Sequence, residues 1–154
     1  MYKRQDQEGH PVYVFKQENL ALRSAILRIR RIIENISKPE NEPFKSDLLN
    51  GLKHQMTLLG QFHNHYTRKE KLFFPIMERY GHDSPPKVMW RVDDDIRKLF
   101  WDAGSKLQEL SNSDADIEEF SKAFETFSEE FEAMILKEEA ILLMILLETF
   151  TQDD

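Results

Sequence analysis

A carboxylate and a histidine on the apolar stripe of the second long helical segment are the first residues that could bind protons or metals. Glu70 lies 22 residues after Leu48. At about 100° per residue, that spacing brings it within roughly 40° of the direction of Leu48. His63 precedes Glu70 by seven residues and falls on the same side. This face therefore carries two groups that bind protons or metals among residues that otherwise favour a core.

The third and fourth helical segments repeat the pattern with further carboxylates. Asp93 occupies the stripe position between Met89 and Ile96, and Glu138 lies on the inward face of the last segment with Glu139 beside it. A buried carboxylate without a partner is costly, so it must find a cation, a proton or a metal. Carboxylates converging from three helices, together with histidines, favour a metal site.

Ordinary ion pairs are the alternative explanation for these carboxylates. Arg68, Lys69, Arg97 and Lys137 lie next to them in the sequence or one turn away. Any of these cations could neutralise a carboxylate without a metal. The residues alone are compatible with either a metal site or ordinary ion pairs.

The elements that must position these residues are four long periodic segments. Apolar residues recur in steps of three and four, which indicates helices, and no alternation typical of strands competes with them. Polar breaks rich in turn-forming residues separate the segments at 37–43, 81–87 and 111–115. Short connections predict antiparallel neighbours, and therefore an all-α, up-down-up-down four-helix bundle. Residues 1–154 are predicted to form one domain.

Composition narrows the classes of partner. The formal net charge is -7, which disfavours nucleic acids and anionic membranes as partners. The chain has no cysteine, so disulfides and thiolate ligands are excluded. No apolar signal segment or long uncharged run occurs. We expect a cytoplasmic protein, with no nucleic acid and no membrane among its partners.

One stretch of the second helix carries a family resemblance. Residues 65–78 (HYTRKEKLFFPIME) resemble the corresponding helix of the hemerythrin-like HHE cation-binding domains. In that register His65 matches the ligand histidine, which lies ten residues before Pro75. Lys69 takes the place of the ligand glutamate, and Glu70 matches the acidic residue after it.

The resemblance extends to the other helices. Residues 134–144 (MILKEEAILLM) echo the motif, with Glu138 and Glu139 as its acidic pair, and His10 looks like the histidine of the first helix. Residues 85–97 (PPKVMWRVDDDIR) resemble a branch of the family often joined to PAS sensory modules. In that branch a histidine can stand where Asp93 stands here. From the start of the chain near His10 we expect a domain that is part of, or acts beside, a larger regulator.

The resemblance implies a non-haem metal centre in the bundle core. Its candidate ligands are His10, His65, Glu70, Asp93, Glu138 and Glu139. Its cofactor would be non-haem iron, as a di-iron pair or a mononuclear site, with zinc or manganese as alternatives. We expect such a centre to bind or sense dioxygen, redox state or iron, with no catalytic motif of its own. A metal-free helical scaffold that has lost its ligands is the second hypothesis, and a di-metal carboxylate oxidase is the third.

Two arguments disagree about the histidine of the second helix. Helical geometry favours His63, because seven residues bring it to the same face as Glu70, whereas five residues place His65 about 140° away from Glu70. Family register favours His65. An irregular turn between Tyr66 and Pro75, such as a π-bulge, would reconcile His65 with Glu70. We therefore predict His65 as the ligand and an irregular turn in that stretch.

Overall fold

A computed structural model of the chain describes residues 11–79, 81, 84–112 and 117–153. They form five α-helices: α1 (Pro11–Ile36), α2 (Lys45–Leu59), α3 (Phe62–Arg79), α4 (Ser84–Asn112) and α5 (Ile117–Asp153). A short 3₁₀ helix, Pro39–Phe44, lies between α1 and α2. Among these residues, no helix carries a stretch long and apolar enough to cross a membrane.

The helices pack as an up-down-up-down bundle, with α2 and α3 together forming its second long rod. Contacts join α1 to α2 and α3, α3 to α4, α4 to α5, and α5 back to α1. On α1 and α5 the residue numbers run in opposite directions, because Asn19 lies beside Glu138 and Arg30 beside Glu125. The all-α, four-helix prediction is confirmed, and no strand occurs in the described part of the chain.

The second rod was expected to be one helix but is divided at Gly60 and Gln61. The amide of Gln61 donates to the carbonyl of Leu58, and the amide of His63 donates to that of Gly60. These bonds reach back three residues, so the chain is wound more tightly here than in an α-helix. Between Tyr66 and Pro75 the helix α3 is continuous. The predicted irregular turn in that stretch was therefore wrong, and the irregularity lies before His65 instead.

The core is a column of aromatic and aliphatic side chains between the four rods. Phe62 packs against Phe100, Phe127 and Phe131, with ring centroids 5.2–5.5 Å apart. Four phenylalanines of α5 follow one another in steps of four, three and four, so they share the inward face of the helix; they are the fully buried Phe120, Phe124, Phe127 and Phe131. Above this apolar column, on the side of the α3 C-terminus, the core becomes polar.

Candidate functional site

Helix α3 directs a histidine and a lysine into the bundle at the level where the apolar column ends. His65 and Lys69 are four residues apart, so they project from one face of the helix, and each side chain is 1% exposed. His63, by contrast, is exposed. The structure therefore buries the histidine that family register favoured.

His65 lies between two carboxylates from different helices. Its Nε2 is 2.7 Å from Oε1 of Glu138 on α5, and its Nδ1 is 3.0 Å from Oε1 of Glu18 on α1. The edge of the ring meets Phe15, at 4.6 Å between centroids. A neutral imidazole donates through only one nitrogen, so the other nitrogen can take a proton or another cation.

Lys69 lies at the centre of the polar layer. Its Nζ donates to Oδ1 of Asp93 and to Oε2 of Glu138, both at 3.1 Å. The same ammonium lies 4.2 Å from the centre of the Tyr66 ring, within cation–π range. One buried cation therefore holds α3, α4 and α5 together through two carboxylates.

A second ion-pair group closes the rim of this layer. The guanidinium of Arg97 donates to both oxygens of Glu70, at 3.0 and 3.1 Å, and to Asp94 at 2.8 Å. Its Nε also lies 3.2 Å from Nδ1 of His63. A bidentate arginine–carboxylate pair is among the stronger hydrogen-bonded contacts. Glu70 is therefore paired with Arg97 of α4 at the edge of the polar layer.

Helix α1 contributes an amide and a carboxylate. The Nδ2 of Asn19 donates to Glu138 at 3.5 Å and to Glu139 at 3.4 Å. Glu18, besides contacting His65, accepts a hydrogen bond from Arg68 on the surface. The half-buried Glu139 therefore reaches the site through Asn19.

Burial and charge shift the pKa values of the two central carboxyls in opposite directions. Burial raises the pKa of Asp93 to about 7; the Lys69 ammonium lowers it, and the neighbouring Glu70 carboxylate adds to the rise. For Glu138 burial also acts to raise the pKa, but Lys69 and His65 together outweigh it and lower the pKa below its ordinary value. Glu138 is therefore the carboxylate that the site keeps ionised.

The pKa values of Tyr66 and Arg97 are also shifted by burial and by the neighbouring carboxylates. Burial, followed by the charges of Asp93 and Glu138, raises the pKa of Tyr66 well above its ordinary value, so the phenol stays neutral. Burial acts to lower the pKa of Arg97, but the hydrogen bond and charge of Glu70 outweigh it and raise that pKa. Both groups keep their usual charge state near neutral pH.

The six predicted site residues differ in where the structure places them. Asp93 and Glu138 meet at Lys69, and His65 joins them through Glu138. Glu70 faces Arg97, and Glu139 faces Asn19. His10 lies outside the described residues.

Sequence reasoning underestimated Glu18 and Asn19. Neither residue was among the predicted ligands, because the spacing from His10 fixed no geometry for them, yet Glu18 contacts His65 and Asn19 contacts Glu138. Asn19 falls on the apolar stripe of α1, since it lies seven residues before Ile26 and three before Leu22. Its position on this apolar stripe was the sequence signal that could have identified Asn19 as a buried polar residue.

Several buried polar atoms in this layer have no hydrogen-bond partner among the described residues. They are Oδ2 of Asp93, the hydroxyl of Tyr66 and Oδ1 of Asn19. Such atoms are costly and often mark a place for water or an ion. Within the described ranges, no group of three or more histidine, aspartate or glutamate side chains is already arranged to hold a metal.

Comparison with known proteins gives one finding. The model of the hemerythrin HHE cation-binding domain matches residues 10–146 of this chain. No curated protein and no solved structure matches it significantly. The family match covers most of the 154 residues and includes every helix that contributes to the polar layer. The chain belongs to the hemerythrin HHE cation-binding family.

Proposed function

We propose that this domain binds a single non-haem metal ion at His65 and Glu138 and serves to sense or bind oxygen, redox state or iron. Iron is the first candidate, with zinc and manganese as alternatives. The observation that carries the proposal is the buried His65, whose Nδ1 meets Glu18 while its Nε2 meets the ionised Glu138. Family membership supports cation binding in general.

The chemistry of the donor set fits one ion. A carboxylate on one ring nitrogen fixes the tautomer and the orientation of a histidine, as in many metal sites. Glu18 is placed to do this for His65. The unpartnered Oδ2 of Asp93 is a further oxygen donor, although Asp93 and Glu138 share Lys69 in the structure. By resemblance, His10 would be another ligand.

A di-metal centre does not fit the described residues. The space between Asp93 and Glu138, where a bridging ion would lie, holds the ammonium of Lys69. Glu70 is engaged by both arms of Arg97. Two metal ions need several bridging carboxylates and more histidines than the site supplies. The di-iron expectation is therefore replaced by a one-ion proposal.

The protein would contribute binding and insulation. Iron would supply dioxygen or redox chemistry when bound, whereas zinc would supply neither. Phe15 and the neutral Tyr66 cover His65 from two sides and limit access of water. Asn19 and Lys69 hold the Glu138 carboxylate in place. This arrangement favours binding over turnover, and we propose no enzymatic activity.

Metal content tests the proposal. We expect protein purified without chelator, or reconstituted anaerobically with iron(II), to hold about one metal ion per chain by inductively coupled plasma mass spectrometry. His65→Gln should lose the metal. His63→Gln, an exposed histidine on the same helix, should retain it. A wild-type protein that binds no metal, or a His65→Gln variant that binds as well as wild type, would contradict the proposal.

A metal-free helical interaction module is the second candidate, and Lys69 favours it. The ammonium already compensates Asp93 and Glu138, so the bundle has a charge partner without metal. Exposed leucines also recur seven residues apart on the neighbouring helices α1 and α5, which places each pair on one face; they are Leu20, Leu27, Leu136 and Leu143. Absence of metal from folded, unchelated protein would favour this candidate.

The setting of the domain is also a proposal. The PAS-linked resemblance leads us to propose a signalling module as partner and a cytoplasmic location. The cysteine-free composition is compatible with that location. Co-purification with an endogenous sensory module, and fractionation of the cells that express the protein, would test both statements.

A further inference from the structure

We propose that Lys69 is a built-in cation that occupies the position of one metal ion, so that a carboxylate at residue 69 would let the site take up one more. The inference deepens the proposed function and rests on it for the wild-type stoichiometry. It is carried by the placement of the ammonium between two buried carboxylates from different helices.

The position of the ammonium is that of a bridging ion. Lys69 Nζ is 3.1 Å from Asp93 on α4 and 3.1 Å from Glu138 on α5. Carboxylate oxygens from two helices around one point charge are also the surroundings that a hard divalent cation selects. Lysine carries its charge as a compact ammonium, so it can stand in for such an ion.

The charge cannot readily leave this position. The Lys69 side chain is 1% exposed, and the Tyr66 ring lies 4.2 Å from the ammonium. The position of Lys69 one helical turn from His65 directs it into the same layer. Burial of an ammonium is tolerated only when it is paired, and here both partners are nearly inaccessible to solvent.

Removal of the ammonium would leave two buried carboxyl groups from different helices with no cation between them. Asp93 and Glu138 would then face each other without compensation, with the Glu70 carboxylate near Asp93. Like charges that close raise the cost of ionisation, and a divalent cation relieves it. The unpartnered Oδ2 of Asp93 offers an additional donor atom to such a cation.

The test counts metal ions in matched variants. Wild type, Lys69→Glu and Lys71→Glu are loaded with manganese(II), or anaerobically with iron(II), desalted and analysed by inductively coupled plasma mass spectrometry. Lys71→Glu makes the same charge change at an exposed position of the same helix. We expect Lys69→Glu to hold one more ion per chain than wild type, and Lys71→Glu to match wild type.

The outcomes separate this inference from the proposed function. Equal metal content in folded Lys69→Glu and wild type overturns the inference, whatever the wild type holds. One ion in wild type and two in Lys69→Glu supports both proposals. No ion in wild type and one in Lys69→Glu supports the built-in cation and contradicts metal binding by the native site.

A second variant keeps the inference testable if Lys69→Glu does not fold. Lys69→Gln removes the charge and retains a polar side chain. We expect manganese(II) to raise the melting temperature of Lys69→Gln by several degrees more than that of wild type, because the ion replaces the missing ammonium. An equal shift in both proteins overturns the inference.

Discussion

At the scale of single residues, the polar layer is defined by how one lysine divides its charge between two carboxyls. Lys69 contacts both Asp93 and Glu138, yet the pKa of Asp93 is raised to about 7 while that of Glu138 is lowered. The difference arises because Glu138 also has His65 beside it, whereas Asp93 has the Glu70 carboxylate. Burial acts to raise both pKa values, and it is outweighed only at Glu138, where Lys69 and His65 act together.

The raised pKa of Asp93 predicts a pH dependence of stability in the metal-free protein. Folded protein retains the Asp93 proton up to about pH 7, and unfolded protein releases it near 3.8. Between these values the folded state binds more protons, so the free energy of unfolding falls as pH rises, by at most about 1.4 kcal/mol per pH unit from this group. Glu138 acts oppositely, but only below its ordinary value of 4.5.

Urea denaturation of chelator-treated protein at several pH values between about 5 and 7 measures this slope. We expect Asp93→Asn to reduce the decline, because the amide does not titrate. Asp95→Asn, at an exposed position of the same helix, should keep the wild-type slope. An unchanged slope in Asp93→Asn would show that Asp93 is ionised throughout this range.

At the scale of elements, the polar layer depends on how the chain changes direction between helices. The tight turn at Gly60 and Gln61 precedes His65 by one helical turn and sets the rotation of α3 about its axis. A Cβ at Gly60 would lie 3.3 Å from the carbonyl of Thr57 and 3.5 Å from the ring of Phe100. Close packing against α4 therefore accompanies this turn.

Replacement of glycine by alanine should change the free energy of unfolding in opposite directions at two other positions, Gly81 and Gly104. Gly81 has φ of 85°, where a side chain is strained, although nothing lies within 4 Å. Gly81→Ala should lower the free energy of unfolding by about 1–2 kcal/mol. Gly104 lies within α4 with open space around its Cα, so Gly104→Ala should raise it by about 0.5–1 kcal/mol.

Urea denaturation of both alanine variants measures the difference. Neither new methyl group would lie within 4 Å of another residue, so packing changes little in either variant. The two changes in the free energy of unfolding therefore report backbone conformation alone. Stabilisation by Gly81→Ala would mean that residue 81 adopts a negative φ in solution.

At the scale of the whole molecule, a column of buried aromatic side chains packs between the helices directly beneath the polar layer. Phe62 is 1% exposed and packs against Tyr66, Phe100, Phe127 and Phe131, which joins three rods of the bundle. Tyr66 in turn lies beneath Lys69. The column therefore supports the ion-pair layer directly.

Truncation of Phe62 should test this support. We expect Phe62→Ala to lower the free energy of unfolding by about 3–5 kcal/mol, because it removes a buried ring and leaves a cavity. Trp101→Ala is the control, since Trp101 is 66% exposed, and its effect should stay within about 0.5 kcal/mol. Thermal and urea denaturation measure both, and similar losses in the two variants would contradict the packing described here.

A good part of the candidate site could be predicted from its sequence. Carboxylates on apolar stripes predicted that Glu70, Asp93 and Glu138 would be buried, and all three are. The cations that could neutralise them were also evident, because Lys69 and Arg97 lie within a turn of those carboxylates. What spacing along one helix cannot specify is which cation reaches which carboxylate on another helix.

The sequence by itself determined the helices, their order and their inward faces, because period and turn residues are local properties. Only the tertiary structure decided that Lys69, and not Arg97, lies between Asp93 and Glu138. It also decided between the two histidines on which helical geometry and family register disagreed: His65 is buried and His63 is exposed, because the tight turn at Gly60 changes the phase of the helix that follows. The rotation of a helix about its axis and the ion pairs between helices both depend on how the four rods pack. A charge can be buried only beside a specific partner, and packing decides which partner is within reach.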